Sequence, residues 1–275
     1  MKKVLVAFDG SHYSEGALEF ARQLNARNPI LLTGDFLPKI DYASLWSQPA
    51  EGKPGSSFIP LLEDEDSRAV QENIKRFETY CLTNKIEFKV HKDFFDFALP
   101  ELKNESRFAD LLLLSSERFY EQAGTSRPND YLKEALYKVE CPVVIVPEKF
   151  DFPVHNILAY DGKPESVYAI KQFAYLFPEL TGNETLLIYI NDKGNEEIPE
   201  QINIEELAGR HFSKLTLNKL EMNPKKNFVP WLMEKKGAIL ISGSFGGSLF
   251  SHLFHKSFVF DIIREHRVPV FIAHK

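Results

Sequence analysis

Val4-Leu5-Val6-Ala7-Phe8-Asp9-Gly10-Ser11, near the amino end, returns as Ile157-Leu158-Ala159-Tyr160-Asp161-Gly162-Lys163. Each is a short apolar run ending in Asp-Gly. Each is followed by a helical pattern, Ser14 to Arg27 and Glu165 to Phe177. Two further pairs follow in the same order. Asp110-Leu111-Leu112-Leu113-Leu114-Ser115-Ser116 matches Ala238-Ile239-Leu240-Ile241-Ser242-Gly243-Ser244, and Cys141-Pro142-Val143-Val144-Ile145-Val146 matches Val268-Pro269-Val270-Phe271-Ile272-Ala273. A long duplication, not a solenoid unit of roughly 20–50 residues, therefore organises the chain of 275 residues. Asp9 to Pro142 spans 133 positions and Asp161 to Pro269 spans 108. The surplus sits at 38–60, where Pro38, Pro49, Pro54, Pro60, Gly52 and Gly55 mark an inserted loop.

Within each copy, apolar runs alternate with amphipathic stretches. The pattern predicts strands at 3–8, 30–36, 86–91, 110–115 and 142–147, then at 155–160, 184–190, 214–221, 238–242 and 269–273. It predicts helices at 14–26, 61–83, 97–107 and 129–139, then at 165–177, 200–211, 226–236 and 257–266. Several strands are continuous apolar runs, as a parallel sheet covered on both faces requires. Alternation of strand and helix implies right-handed crossovers. The fold class is thus α/β: two tandem doubly wound five-stranded parallel sheets of Rossmann-like α/β/α architecture. They form domains 1–150 and 151–275, joined by a linker at 148–153.

Composition removes other classes. Net charge is -6, with 19 Lys+Arg against 24 Asp+Glu up to residue 150 and 14 against 15 beyond it. Neither copy is basic, so a nucleic-acid partner held by phosphate neutralisation is not expected. The two cysteines, Cys81 and Cys141, lie among apolar residues and read as reduced core thiols. No apolar run approaches the ~18 residues of a membrane span, and the amino end runs directly into a strand, so the expected location is cytoplasmic, away from membranes.

In doubly wound sheets, ligands sit beyond the carboxyl ends of the strands where strand order reverses. That selects Asp9-Gly10-Ser11 and Asp161-Gly162 after the first strand of each copy. A carboxylate there accepts from a ribose hydroxyl or base amino group; equally, it can cap the next helix. After the fourth strand of the second copy comes Gly243-Ser244-Phe245-Gly246-Gly247-Ser248. Its glycines let backbone approach a ligand, and free N–H groups at the next helix start, near Ser257, favour a phosphate. The first copy has Ser115-Ser116-Glu117-Arg118-Phe119 instead, without glycine and with a carboxylate that repels phosphate, so a phosphate is expected only in the second copy.

Other motifs fail on detail. Lys256-Ser257 lacks the glycine that a Walker A loop places before its lysine. Ser244 lacks the first glycine of a nucleophile elbow. His252 and His255 lack a third ligand, so no metal site and no catalytic residue is assigned.

Taken together, these residues resemble the universal stress protein family. The resemblance rests on Val4 to Ser11, Cys141 to Val146, Gly243 with Gly246, and Ser257 at the family's Gly-x2-Gly-x9-Gly-(Ser/Thr) spacing, with Lys256 where the third glycine belongs. It covers nearly the whole chain as two copies. It implies a stress-response regulator or sensor that binds ATP, with or without Mg, and at most hydrolyses it slowly. The implied contacts are Asp161, Ile190, Gly243, Gly246 and Ser257, with Asp9 and Phe36 as first-copy counterparts. Lys256 removes a position where backbone can crowd a phosphate, yet its ammonium can pair with one. The alternative is a pseudo-dimeric interaction protein without nucleotide, serving protein partners through phenylalanines such as Phe94, Phe97 and Phe250. Both readings allow a homodimer of such chains. An adenylating enzyme is disfavoured, because neither first strand is followed by a pyrophosphate loop.

Overall fold

The computed structural model describes residues 1–9, 12–37, 64–92, 98–120, 130–190, 197–220, 228–243 and 258–273. The first half runs β1 (Lys2–Phe8), α1 (Glu15–Arg27), β2 (Ile30–Phe36), α2 (Asp64–Thr83), β3 (Glu87–Lys92), α3 (Ala98–Arg107), β4 (Leu111–Ser115), α4 (Asp130–Lys138) and β5 (Val143–Val146). The second runs β6 (His155–Tyr160), α5 (Pro164–Leu176), β7 (Glu184–Ile190), α6 (Gln201–His211), β8 (Lys214–Leu220), α7 (Val229–Met233), β9 (Ala238–Gly243), α8 (Phe258–Arg264) and β10 (Val270–Ala273).

Each half is a parallel five-stranded doubly wound sheet. The two fuse into one ten-stranded sheet of order β3-β2-β1-β4-β5-β10-β9-β6-β7-β8, so the copies pair internally as a pseudo-dimer. The seam is antiparallel: Val143 faces Ile272, Val144 faces Phe271, and Ile145 faces Val270. Val144 and Phe271 hold the same place in the two copies, so an internal two-fold passes between them. The physical reason is edge satisfaction. Two apolar edge strands would each expose a row of unpaired backbone groups, and pairing removes both edges at once.

Both faces of the sheet are covered, which explains the continuous apolar runs. On one face, Val4, Val6 and Phe8 of β1 pack with α1, α2, α5 and α6 in a core that crosses the seam to Phe271. On the other, Leu5 and Ala7 pack with α3, α4, α7 and α8. α7 ends at Met233, short of the expected 236, while 226 and 227 lie outside the described residues. Pro230 lies in its first turn and offers no N–H to a preceding one. The linker is not a free tether either: Phe150 and Phe152 pack on Phe20 of α1, and Arg27 lies 4.0 Å over the Phe152 ring. Lys2 adds a tie between halves, donating to the Leu176 carbonyl and pairing with Glu179 at 3.2 Å. Among the described residues, no helix is long and apolar enough to cross a membrane.

Both cysteines are buried free thiols. Burial, with Glu78 near Cys81 and Asp110 near Cys141, pushes each up to about 12. Neither is expected to react with a chromogenic disulfide reagent at pH 8 until the chain is unfolded; rapid native-state labelling would contradict the assignment. Unfolding returns the thiols to an ordinary range near 8.5, so the unfolded chain holds fewer protons above that pH. Their contribution to stability is whole below about 8.5 and is lost as pH rises toward 12.

Candidate functional site

β1 lies between β2 and β4, and β6 between β7 and β9, so the strand order reverses at these two points. A crevice belongs beyond each. The sheet register sets which residues correspond. Leu5 faces Leu112, which faces Val143; Ile157 faces Leu240, which faces Val270. Asp9 therefore corresponds to Asp161, and Ser115 to Gly243. Phe8 faces Phe36 while Tyr160 faces Tyr189, so the counterpart of Ile190 is Leu37, not Phe36. The sequence places that position one residue early because β2 ends at the aromatic Phe36, whereas β7 runs one residue past its aromatic Tyr189.

In the first half the crevice is filled by the chain itself. The Asp9 side chain is only 3% exposed. It accepts from the backbone N–H groups of His12 at 2.7 Å and Tyr120 at 2.9 Å, and pairs with His12 Nδ1 at 2.6 Å. Tyr120 follows β4 and crosses β1, and its hydroxyl donates to the Leu37 carbonyl beyond β2 at 2.6 Å. Its ring stacks on Tyr131, with centroids 4.4 Å apart. Burial, then the carboxylates of Asp9 and Asp35, push the phenol far up and keep it a neutral donor. The start of α1 is also taken. Glu148 accepts from Ser14 Oγ at 2.6 Å, Ser115 Oγ at 2.7 Å and the Gly16 N–H at 3.1 Å. Ser115 in turn accepts from the N–H groups of Glu117 and Arg118. Ser116 shares a 2.8 Å hydrogen bond with His266 of the second half.

Among the described residues, the corresponding point of the second half is not covered in this way. The Asp161 side chain is 54% exposed, with one oxygen accepting from the Lys163 N–H at 3.0 Å and the other 3.5 Å from its ammonium. An exposed pair of that kind contributes little and gives way readily. α5 starts at Pro164 with no side-chain cap, so its first turn keeps N–H groups unclaimed by side chains. Gly243 ends β9 against that turn; a Cβ there would stand 2.5 Å from the Glu165 carbonyl carbon. Gly162 takes φ +79 under Pro199, a left-handed backbone that only glycine adopts readily. Tyr160 donates to the Pro199 carbonyl at 2.8 Å and so braces the segment above it.

The structure thus brings Asp161, Gly162 and Gly243 together around the start of α5, with the β7 end at Ile190 two strands from Gly243. Gly10, Ser11, Ser244, Gly246, Gly247, Lys256 and Ser257 lie outside the described residues, as do the loop at 38–60 and the candidate phenylalanines. Neither aspartate caps its helix: Ser14 does so in α1 and Lys163 stands at that place in α5. Sequence reasoning missed Leu37, Tyr120 and Glu148. Only a comparison of the loops after β4 and β9 carries a signal, since large residues stand in one where glycines stand in the other.

No family model and no curated protein matches the chain. Solved structures do. A universal stress protein from Archaeoglobus fulgidus DSM 4304 superposes over 100% of this chain and 96% of its own, with a TM-score of 0.74 at 18% identity. A putative universal stress protein from Pseudomonas aeruginosa UCBPP-PA14 gives 0.53 at 10% identity, over 100% and 93%. The fold is that of the universal stress proteins, present twice in one chain.

Proposed function

We propose that this chain is a universal stress-type regulator or sensor, cytoplasmic, whose second domain (151–275) binds ATP. One observation carries the reading. At equivalent places in one sheet, the Asp9 carboxylate is buried and engaged, whereas Asp161 stands open beside an uncapped helix start. Asp161 is suited to ribose hydroxyls and the Ile190 backbone to a base. The first turn of α5 is suited to an anion, because its N–H groups carry the positive end of the helix dipole. Magnesium would accompany the nucleotide. The first domain (1–150) then contributes scaffold, and one nucleotide per chain is expected.

The test is mass spectrometry of nucleotide released on denaturation, with calorimetric titration of ATP. Asp161→Ala is expected to weaken ATP about 10–100-fold, the scale of one or two hydrogen bonds to a charged acceptor. Asp9→Ala is expected to leave affinity unchanged but to cost about 2–3 kcal/mol of stability, since the Tyr120 and His12 N–H groups lose their acceptor in the interior. Equal ATP binding by the parent chain and Asp161→Ala would sink this reading. No binding at millimolar ATP would favour the second one, a nucleotide-free interaction protein, which the self-filled first crevice also supports.

A further inference from the structure

We propose that the amino ends of β6, β7 and β8 hold a binding site for a small planar aromatic carboxylate. It lies at the opposite end of the strands from Asp161 and Ile190. Five residues of β6 separate His155 from Tyr160, about 17 Å at 3.3 Å per residue. Nucleotide binding in the second half is not needed for it.

Sheet register builds the site from two rows of three. His155 faces Glu184, which faces Lys214; one step in, Ile157 faces Leu186, which faces Thr216. Residues two apart along a strand share a face, so both rows lie on the side that carries α7. All six line a cavity of about 510 Å³, and Trp231 and Lys235 line it from the α7 side. Small-molecule sites measure roughly 300–1,000 Å³. The Trp231 ring stacks on fully buried Phe228, centroids 5.5 Å apart, which fixes it in place. Lys235 Nζ stands 5.0 Å from the centre of the same ring.

Charge selects the guest. The lining holds one carboxylate among the described residues, Glu184, and it lies 3.3 Å from His155 Nδ1. Lys214 and Lys235 are both exposed, and neither has a carboxylate partner among the described residues. The lysine pair is not a demand of the fold. By register, Glu87 of the first half stands where Lys214 does. Arg107 stands where Lys235 does and pairs with Glu140 at 2.6 Å, but Arg267 takes the place of Glu140 in the second half. The carboxylate that would quench Lys235 is thus replaced by a cation. Ile157, Leu186 and the Trp231 ring suit a flat apolar body, and the two ammonium groups suit one carboxylate on it. A bare phosphate would leave those apolar groups uncovered.

Calorimetric titration of the full chain with 2-naphthoate tests this. One molecule per chain is expected, with Kd on the order of 0.1 mM. The neutral 2-naphthamide binds about tenfold more weakly. Lys214→Met and Lys235→Met each weaken 2-naphthoate about 5–10-fold, since methionine keeps an apolar stem and loses the charge. Both variants keep their Tm within about 2 °C of the parent. Lys149→Met, at an exposed position after β5, leaves the affinity unchanged, as do Asp161→Ala and an excess of ATP. No heat at millimolar 2-naphthoate overturns the proposal. Equal affinity for the amide overturns it, and so does an affinity untouched by both lysine variants. Displacement by ATP, with loss of binding in Asp161→Ala, would put the naphthoate at the carboxyl ends of the strands and overturn it as well.

Discussion

Truncating Phe271 to alanine is expected to lower the free energy of unfolding by about 3–5 kcal/mol, the range for a large aromatic removed from a close-packed interior. Phe271 is fully buried at the middle of the seam, opposite Val144. Its ring meets Phe173 edge-on at 5.3 Å and Phe177 at 5.8 Å, both from the α5 side of the sheet. Such pairs add roughly 0.5–1.5 kcal/mol beyond the area they bury. The site has little freedom to collapse, because the backbone on either side is fixed by β5 and β9. Urea unfolding followed by far-ultraviolet circular dichroism reads the loss as a lower midpoint at similar slope. A cost below about 1 kcal/mol would mean that the joined sheet is not held by this cluster.

Gly16→Ala is the second large effect. Alanine is the better helix former by about 1 kcal/mol, so propensity alone says that this change in α1 stabilises. Packing reverses the sign. A Cβ at Gly16 would lie 2.2 Å from the Pro147 carbonyl oxygen and 2.8 Å from Glu148 Cα, backbone atoms that cannot swing aside. Relieving that contact pushes the chain after β5 off the start of α1 and stretches the Glu148 hydrogen bond to the Gly16 N–H. Overpacking of this kind costs typically 1–3 kcal/mol and sometimes more. A net loss of about 2–3 kcal/mol follows. Gly209→Ala is the control, for nothing lies within 4 Å of a Cβ there. It sits in α6, where the same substitution should gain about 0.5–1 kcal/mol. Two glycine-to-alanine changes in helices of one protein are thus expected to move the urea midpoint in opposite directions.

Most elements were legible because their burial is one-dimensional information. β1, β4 and β9 are apolar on both faces, and the helices between them show one apolar side, so their ends fall within a few residues of expectation. What escaped is non-local. The repeat points to a pseudo-dimer of its two copies, but the antiparallel register of Val143–Val146 against Val270–Ala273 is set only in the folded sheet. Asp9 and Asp161 look alike in sequence, and the burial of Asp9 comes from partners such as Tyr120, 111 positions away. Glu148, placed in a linker by composition, turns out to hold two serines and a helix start.

The seam also bears on how such a molecule can change over generations. Were its two sides separate copies of one short chain, a substitution would be printed on both sides of the axis, and a tyrosine closing one crevice would close the other. Joining the sides in one polypeptide lifts that constraint. Val144 can face Phe271, and a buried Asp9 can coexist with an open Asp161. Each side is free to change without its twin, a freedom that a symmetric pair of identical chains cannot inherit.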